Sequence, residues 1–162
     1  MPDLKYLEFD RKELSKLGGY NTALEIAGQP ELWKEVYQLI LDKSDSLHLF
    51  LEPLMRLAHL RIILTGAGSS AFIGEAAQGI IQCDTGKITQ AIASTDLVTH
   101  PQVFFLKEIP TLMVSFARSG NSPESIEAVR LANSYCDTIY HLVITCSKTG
   151  DLAQLAEETN VF

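Results

Sequence analysis

The sequence predicts an α/β protein: a three-layer α/β/α fold with a doubly wound parallel sheet, preceded by N-terminal helices. Three observations carry that prediction. From Arg61 onward, short apolar runs alternate with helical stretches, the pattern of a parallel sheet covered on both faces. The first run, Arg61 to Thr65 (RIILT), is apolar without in-out alternation, as suits a strand buried on both sides. Glycine and serine cluster directly after such runs, where a strand must turn into a helix.

The first third reads as helix. Thr22 and Glu25 have capping-box spacing and would open a short helix, TALEIA, that Gly28 ends. Pro30 suits the first turn of a second helix, where its missing N–H costs nothing. From Glu31 to Phe50, Leu32, Val36, Leu39 and Ile40 recur at the helical period, and Pro53 is expected to kink or end that helix near Leu51. Trp33 is read as packing. Strands are then expected at Arg61–Thr65, Thr89–Ala93, Thr111–Phe116 and Ile139–Cys146. Helices are expected at Ala71–Gln82, Pro123–Ser134 and Asp151–Glu158, with Pro123 in a first-turn position. Val161 and Phe162 read as the opening of a fifth strand. The right-handed crossover rule limits where the helices can lie. Residues 1–57 are therefore a helical leader, and 58–162 the α/β domain.

The chain's 162 residues suffice for one domain that buries roughly 70% of its unfolded surface. A net charge of −7 argues against a nucleic-acid or anionic-membrane partner, which calls for a basic face. It does not exclude a small anion, because backbone N–H groups bind phosphate without lysine. Cys83, Cys136 and Cys146 are odd in number and form no CxxC, so they read as reduced thiols packed as small hydrophobes. The N-terminus lacks the apolar region of a signal peptide, and no run reaches the ~18 apolar residues of a membrane span. A cytoplasmic location is expected.

In a doubly wound sheet, ligands bind beyond the carboxyl ends of the strands. Three segments qualify: Thr65 to Ser70 (TGAGSS), Ser115 to Ser122 (SFARSGNS) and Cys146 to Gly150 (CSKTG). Their chemistry suits phosphate. A helix N-terminus offers unpaired N–H groups and about half a positive charge. Glycine lets the backbone approach the ligand, and serine hydroxyls rotate to meet its oxygens. Two other readings stay open. The serines could be simple helix caps. Gly66-Ala67-Gly68-Ser69-Ser70-Ala71 also fits the dinucleotide fingerprint, but that motif wants an acid ending the second strand; Asp84 precedes that strand and Asp96 is too distant.

At these residues the chain resembles the sugar isomerase (SIS) domain family. GAGSS matches the Ser/Thr-rich turn after that family's first strand, and SGNS matches its later S-G-x-[ST] turn. The segment TALEIAGQPELW is similar to the leader before the first such domain in glucosamine-6-phosphate synthase and its relatives. Together with SFARSGNSPES, it points to the tagatose-6-phosphate ketose/aldose isomerase family, also described as galactosamine-6-phosphate deaminase/isomerase. The resemblance implies a phosphosugar ligand held by Gly68, Ser69, Ser70, Arg118, Ser119, Asn121 and Ser122, with Ser147 facing the sugar. It also implies no cofactor, a homodimer, and two SIS domains in tandem, of which this chain carries the first. The acid/base residues in such isomerases come largely from the second domain or a partner subunit. Glu75, Asp96, His100 and Glu124 are local candidates for the base, and none is adopted. His48, His59 and His141 lack metal-ligand spacing and read as packing; no metal is assigned. The remaining alternative is a non-catalytic phosphosugar-sensing SIS module.

Overall fold

The computed structural model describes residues 5–157. The chain divides into two compact units, Met1–His48 and Leu49–Phe162.

The first unit opens with a hairpin, β1 (Lys5–Tyr6) against β2 (Phe9–Asp10). Its turn residues, Leu7 and Glu8, take φ of 53° and 72°. Two-residue hairpin turns need such left-handed backbone and usually use glycine or asparagine for it. Neither is present here, so nothing in the sequence announced this hairpin. Asp10 then caps α1 (Arg11–Lys16), its Oδ1 accepting the Glu13 N–H at 2.7 Å.

Helix α2 (Tyr20–Asp42) corrects the expected pair of helices, because it runs unbroken through Gly28 and Pro30. Pro30 removes one backbone bond, toward Ile26, from a 23-residue helix, and the helix survives that loss. Thr22 is no cap; Gly19 is. Trp33, expected to pack, is 66% exposed. The break comes at Lys43, and α3 (Ser44–Met55) then passes through Pro53 and ends at Met55, beyond the expected stop near Leu51.

The second unit holds a four-stranded parallel sheet: β3 (Arg61–Gly66), β4 (Ile88–Ala91), β5 (Thr111–Ala117) and β6 (Ile139–Thr145), in spatial order β4-β3-β5-β6. Each lies within two residues of its expected position. Helix α4 (Ala71–Thr85) links β3 to β4. Two short helices not foreseen in the sequence, α5 (Ser94–Thr99) and α6 (Pro101–Phe104), carry the chain back past β3 to β5. Helices α7 (Pro123–Tyr135) and α8 (Asp151–Glu157) follow β5 and β6. Glu158 and the expected fifth strand at Val161 and Phe162 lie outside the described residues.

Strand periodicity sorts the core into two layers. Ile62, Leu64, Leu112, Val114 and Phe116 face α3 and α4, packing with Phe50, Leu54 and Ile81. Ile63 and Met113 face the other way, onto Leu97 of α5, Ala128, Val129 and Ala132 of α7, and Leu152 of α8. Helices on opposite faces are what a chain that winds one way to β4 and the other way to β5 and β6 must produce. The fold is the doubly wound three-layer sheet the sequence predicted.

Candidate functional site

Because the chain leaves β3 toward one edge and β5 toward the other, the two connections diverge above adjacent strand ends. Gly66 ends β3 directly beside Phe116, the next-to-last residue of β5. Such a switch point opens a crevice at the carboxyl edge of the sheet. Both serine-rich turns start there.

The first turn is wound tightly. A Cβ on Gly66 would lie 2.7 Å from the carbonyl carbon of Ser70, so only glycine fits. Gly68 takes φ +54°, and residues Gly68–Ser70 form a single 3₁₀ turn that leads into α4. The Ser70 N–H donates to the Ala67 carbonyl at 3.1 Å. Gly68 and Ser69 are exposed and Ser70 is half-buried.

The second turn leans on the third. Gly120 takes φ +72°, and Ser119 Oγ accepts the Asn121 N–H at 3.3 Å. A Cβ on Gly150 would lie 2.3 Å from the Ser119 carbonyl oxygen. The Leu152 N–H donates to the Gly120 carbonyl at 2.9 Å, and the Asp151 N–H to Asn121 Oδ1 at 2.9 Å. Asn121 thus caps α8, a structural duty its place among the expected ligand residues did not suggest. Arg118 and Ser119 are exposed, and Ser122 and Ser147 half-buried; the Ser147 N–H donates to Thr145 Oγ1 at 3.2 Å. Arg118 forms no ion pair among the described residues. Gly150, which ends the third expected segment but was not among the expected ligand residues, is where that segment meets the second turn.

The capping alternative fails at the residues that matter most. Ser70 and Ser122 stand at the N-cap positions of α4 and α7, yet neither side chain makes a cap hydrogen bond. Their hydroxyls remain available beside two helix N-termini.

No family model matches the chain. Individual proteins do. The chain is 44% identical over 145 residues to the D-galactosamine-6-phosphate deaminase AgaS of Shewanella sp. (strain ANA-3), covering 88% of this chain and 37% of that protein. It is 48% identical to the D-galactosamine-6-phosphate deaminase AgaS of Escherichia coli O157:H7, over 83% of this chain and 35% of that one. The crystal structure of tagatose-6-phosphate ketose/aldose isomerase from Escherichia coli superposes with a TM-score of 0.85 at 47% identity, covering 87% of this chain and 39% of that one. Over the residues it spans, the chain is similar to these phosphosugar deaminases and isomerases. Its sheet is the SIS fold, and it spans little more than a third of the length of the relatives it matches.

In this chain the titratable groups are spread out. Glu75, Asp96 and His100 are exposed on α4, on α5 and between α5 and α6. His100 Nδ1 lies 2.9 Å from Thr99 Oγ1. Glu124, half-buried in the first turn of α7, lines a groove of about 820 Å³ with Val98, Asn121, Glu127 and Asp151. That groove runs along α7 and α8 and shares only Asn121 with the expected ligand residues. No acid ends β4: Ile92, Ala93 and Ser94 come next and Asp96 lies inside α5, so the acid that the dinucleotide reading requires is not in place. His141 is the one histidine of the three that packs, 1% exposed with Nε2 2.8 Å from Asn133 Oδ1, and burial lowers its pKa to about 4. His48 and His59 are exposed instead. Of the three cysteines, expected to pack as small hydrophobes, only Cys136 is buried; Cys83 and Cys146 are exposed.

Proposed function

We propose that this chain is the phosphosugar-binding part of a ketose/aldose isomerase or amino-sugar-phosphate deaminase, with tagatose 6-phosphate or galactosamine 6-phosphate as the ligand. The supporting observation is the pair of glycine- and serine-rich turns at one switch point, with the hydroxyls of both N-cap serines uncommitted. In this reading the phosphate sits between Gly68, Ser69 and Ser70 on one side and Ser119 and Ser122 on the other. Backbone N–H groups at two helix N-termini meet its charge, and Arg118 adds a full positive one. Asn121 keeps its amide NH₂ as a donor while its oxygen holds α8. Ser147 faces the sugar.

Isomerisation moves a proton between C1 and C2 of the opened sugar. For an amino sugar, the C2 imine that results takes up water and releases ammonia, leaving the ketose. A base must carry that proton. No carboxylate or histidine stands within the turns, so the base is assigned to residues outside this chain. Residues 58–162 then act as the first of two SIS domains, with 1–57 as the leader, in a cytoplasmic homodimer whose second domain or partner subunit completes the site. No helix among the described residues is long and apolar enough to cross a membrane.

Titration calorimetry with galactosamine 6-phosphate tests the binding. Ser70→Ala and Ser119→Ala each remove a hydrogen bond to a charged oxygen, and about a tenfold or greater loss of affinity is expected. Unchanged affinity in both variants would sink the two-turn site. An ammonia-release assay on residues 1–162 should show little turnover, and vigorous release would place the base inside the chain. Tight binding with no turnover in the full-length protein would instead favour the sensing module.

A further inference from the structure

Four hydroxyls lie beneath the two turns, where the sheet meets α5 and α7. Thr65, Ser94, Ser115 and Ser125 are each no more than 5% exposed, and the side-chain oxygen of each lacks a hydrogen-bond partner among the described residues. Their spacing aims them into one seam. Thr65 follows Ile63 by two residues in β3, and Ser115 follows Met113 by two in β5, so both share the face of those core residues. Thr65 and Ser115 are also direct partners in register. Ser125 continues the buried stripe of Ala128, Val129 and Ala132 on α7, and Ser94 lies one turn before buried Leu97 on α5. Those helical residues pack on Ile63 and Met113.

The four also share a level. The Ile92 N–H donates to the Leu64 carbonyl at 2.9 Å, so β4 ends beside Thr65 and Ser94 opens α5 just beyond it. The Ser125 N–H donates to the Ser122 carbonyl at 3.0 Å, which fixes Ser125 in the first turn above the end of β5.

A buried hydroxyl with no partner is expensive, and native interiors satisfy nearly all such groups. One orphan is tolerable; four converging from two strands and two helices make a polar site. The seam is closed to solvent, so a sugar or phosphate is too large to be its occupant. Water is not. A buried water makes two to four hydrogen bonds, and each hydroxyl offers both a donor and acceptors. We infer that Thr65, Ser94, Ser115 and Ser125 together bind ordered water, and that this water ties the openings of α5 and α7 to the ends of β3 and β5, bracing both turns from below. The inference is independent of which anion the turns carry.

Thr65→Val tests it by sign. Valine keeps the shape and deletes the hydroxyl. If water is the partner, the variant strips a bond from it, and the folding equilibrium constant in urea titration of the full chain falls roughly 5- to 30-fold. If the hydroxyl is a true orphan, valine relieves a penalty, and unchanged or raised stability overturns the inference. Should Thr65→Val fail to fold, a high-resolution crystal structure of the unmutated chain decides. Water oxygens about 2.7–3.2 Å from at least two of the four Oγ atoms are expected, and a dry seam refutes the assignment.

Discussion

The turn after β3 and the turn after β5 bring the same residue types to the same edge of the sheet, yet they are held in different ways. The first is wound on itself: Gly66 presses against Ser70 within a single strand-to-helix connection. The second is held from outside, by Gly150 against Ser119, by Asn121 at the head of α8, and by the Leu152 N–H on the Gly120 carbonyl. The first therefore needs only β3 and α4, whereas the second needs β6 and α8 as well. Two turns of similar composition thus differ in how far from the chain segment their support lies.

The sharpest way to separate them is to put a methyl group where only hydrogen fits. Gly150→Ala would drive a Cβ to 2.3 Å from the Ser119 carbonyl oxygen, against backbone that cannot swing aside. A loss of about 3 kcal/mol is expected from urea denaturation. Amide chemical shifts should move at Ser119 to Ser122 far more than at Gly68 to Ser70. Gly66→Ala should do the reverse, because its Cβ would meet Ser70. Equal disturbance of both turns by either variant would mean they are not independently held.

Acid loads the same contrast more gently. His141 sits in β6, the strand that carries the third turn, and its folded-state pKa of about 4 lies below the ordinary 6.5 because burial disfavours the charged ring. Between those values the unfolded chain binds the proton and the folded chain does not. Stability is therefore complete above pH 6.5 and drains away as pH falls toward 4. The whole drop from 6.5 to about 4 is worth about 3.5 kcal/mol. At pH 5 about half or more of this has gone, and the second turn, which depends on β6, should loosen first. His141→Gln should flatten the change in urea midpoint between pH 7 and pH 5. An equally steep fall in that variant would assign the acid sensitivity to other groups.

This contrast marks what the sequence could and could not disclose. Arg61 to Thr65 and Thr111 to Phe116 announced their strands because burial on both faces leaves continuous apolar runs. GAGSS and SGNS announced their turns because glycine and serine are the residues a tight strand-to-helix connection favours. The bracing was invisible. Asn121 capping Asp151 is a contact across 30 positions, and no local pattern encodes it. The leader misled for a related reason: Pro30 and Gly28 are local stop signals, and α2 overrides both. The hairpin at Leu7 and Glu8 hid itself by using residues that turns seldom choose. Short helices α5 and α6 were lost because Ser94 to Phe104 is too brief for a helical period to declare itself.

The smallest of the expected effects is the most informative about the second turn. Asn121→Ala deletes the acceptor for the Asp151 N–H and should cost about 1 kcal/mol, the usual value of a helix cap. Asn121→Asp keeps an oxygen at the same place and should hold α8 at least as well, since an anion is favoured at a helix N-terminus. The same carboxylate lies beside the proposed phosphate, however, and should weaken galactosamine 6-phosphate binding in calorimetry. Stability and affinity are then expected to move in opposite orders: alanine the less stable variant, aspartate the poorer binder. If alanine costs nothing, Asn121 is no brace, and the dependence of the second turn on α8 rests on Gly150 and the Gly120–Leu152 hydrogen bond alone. If aspartate binds as well as asparagine, the anion does not lie over this turn, and the site belongs to the first turn by itself.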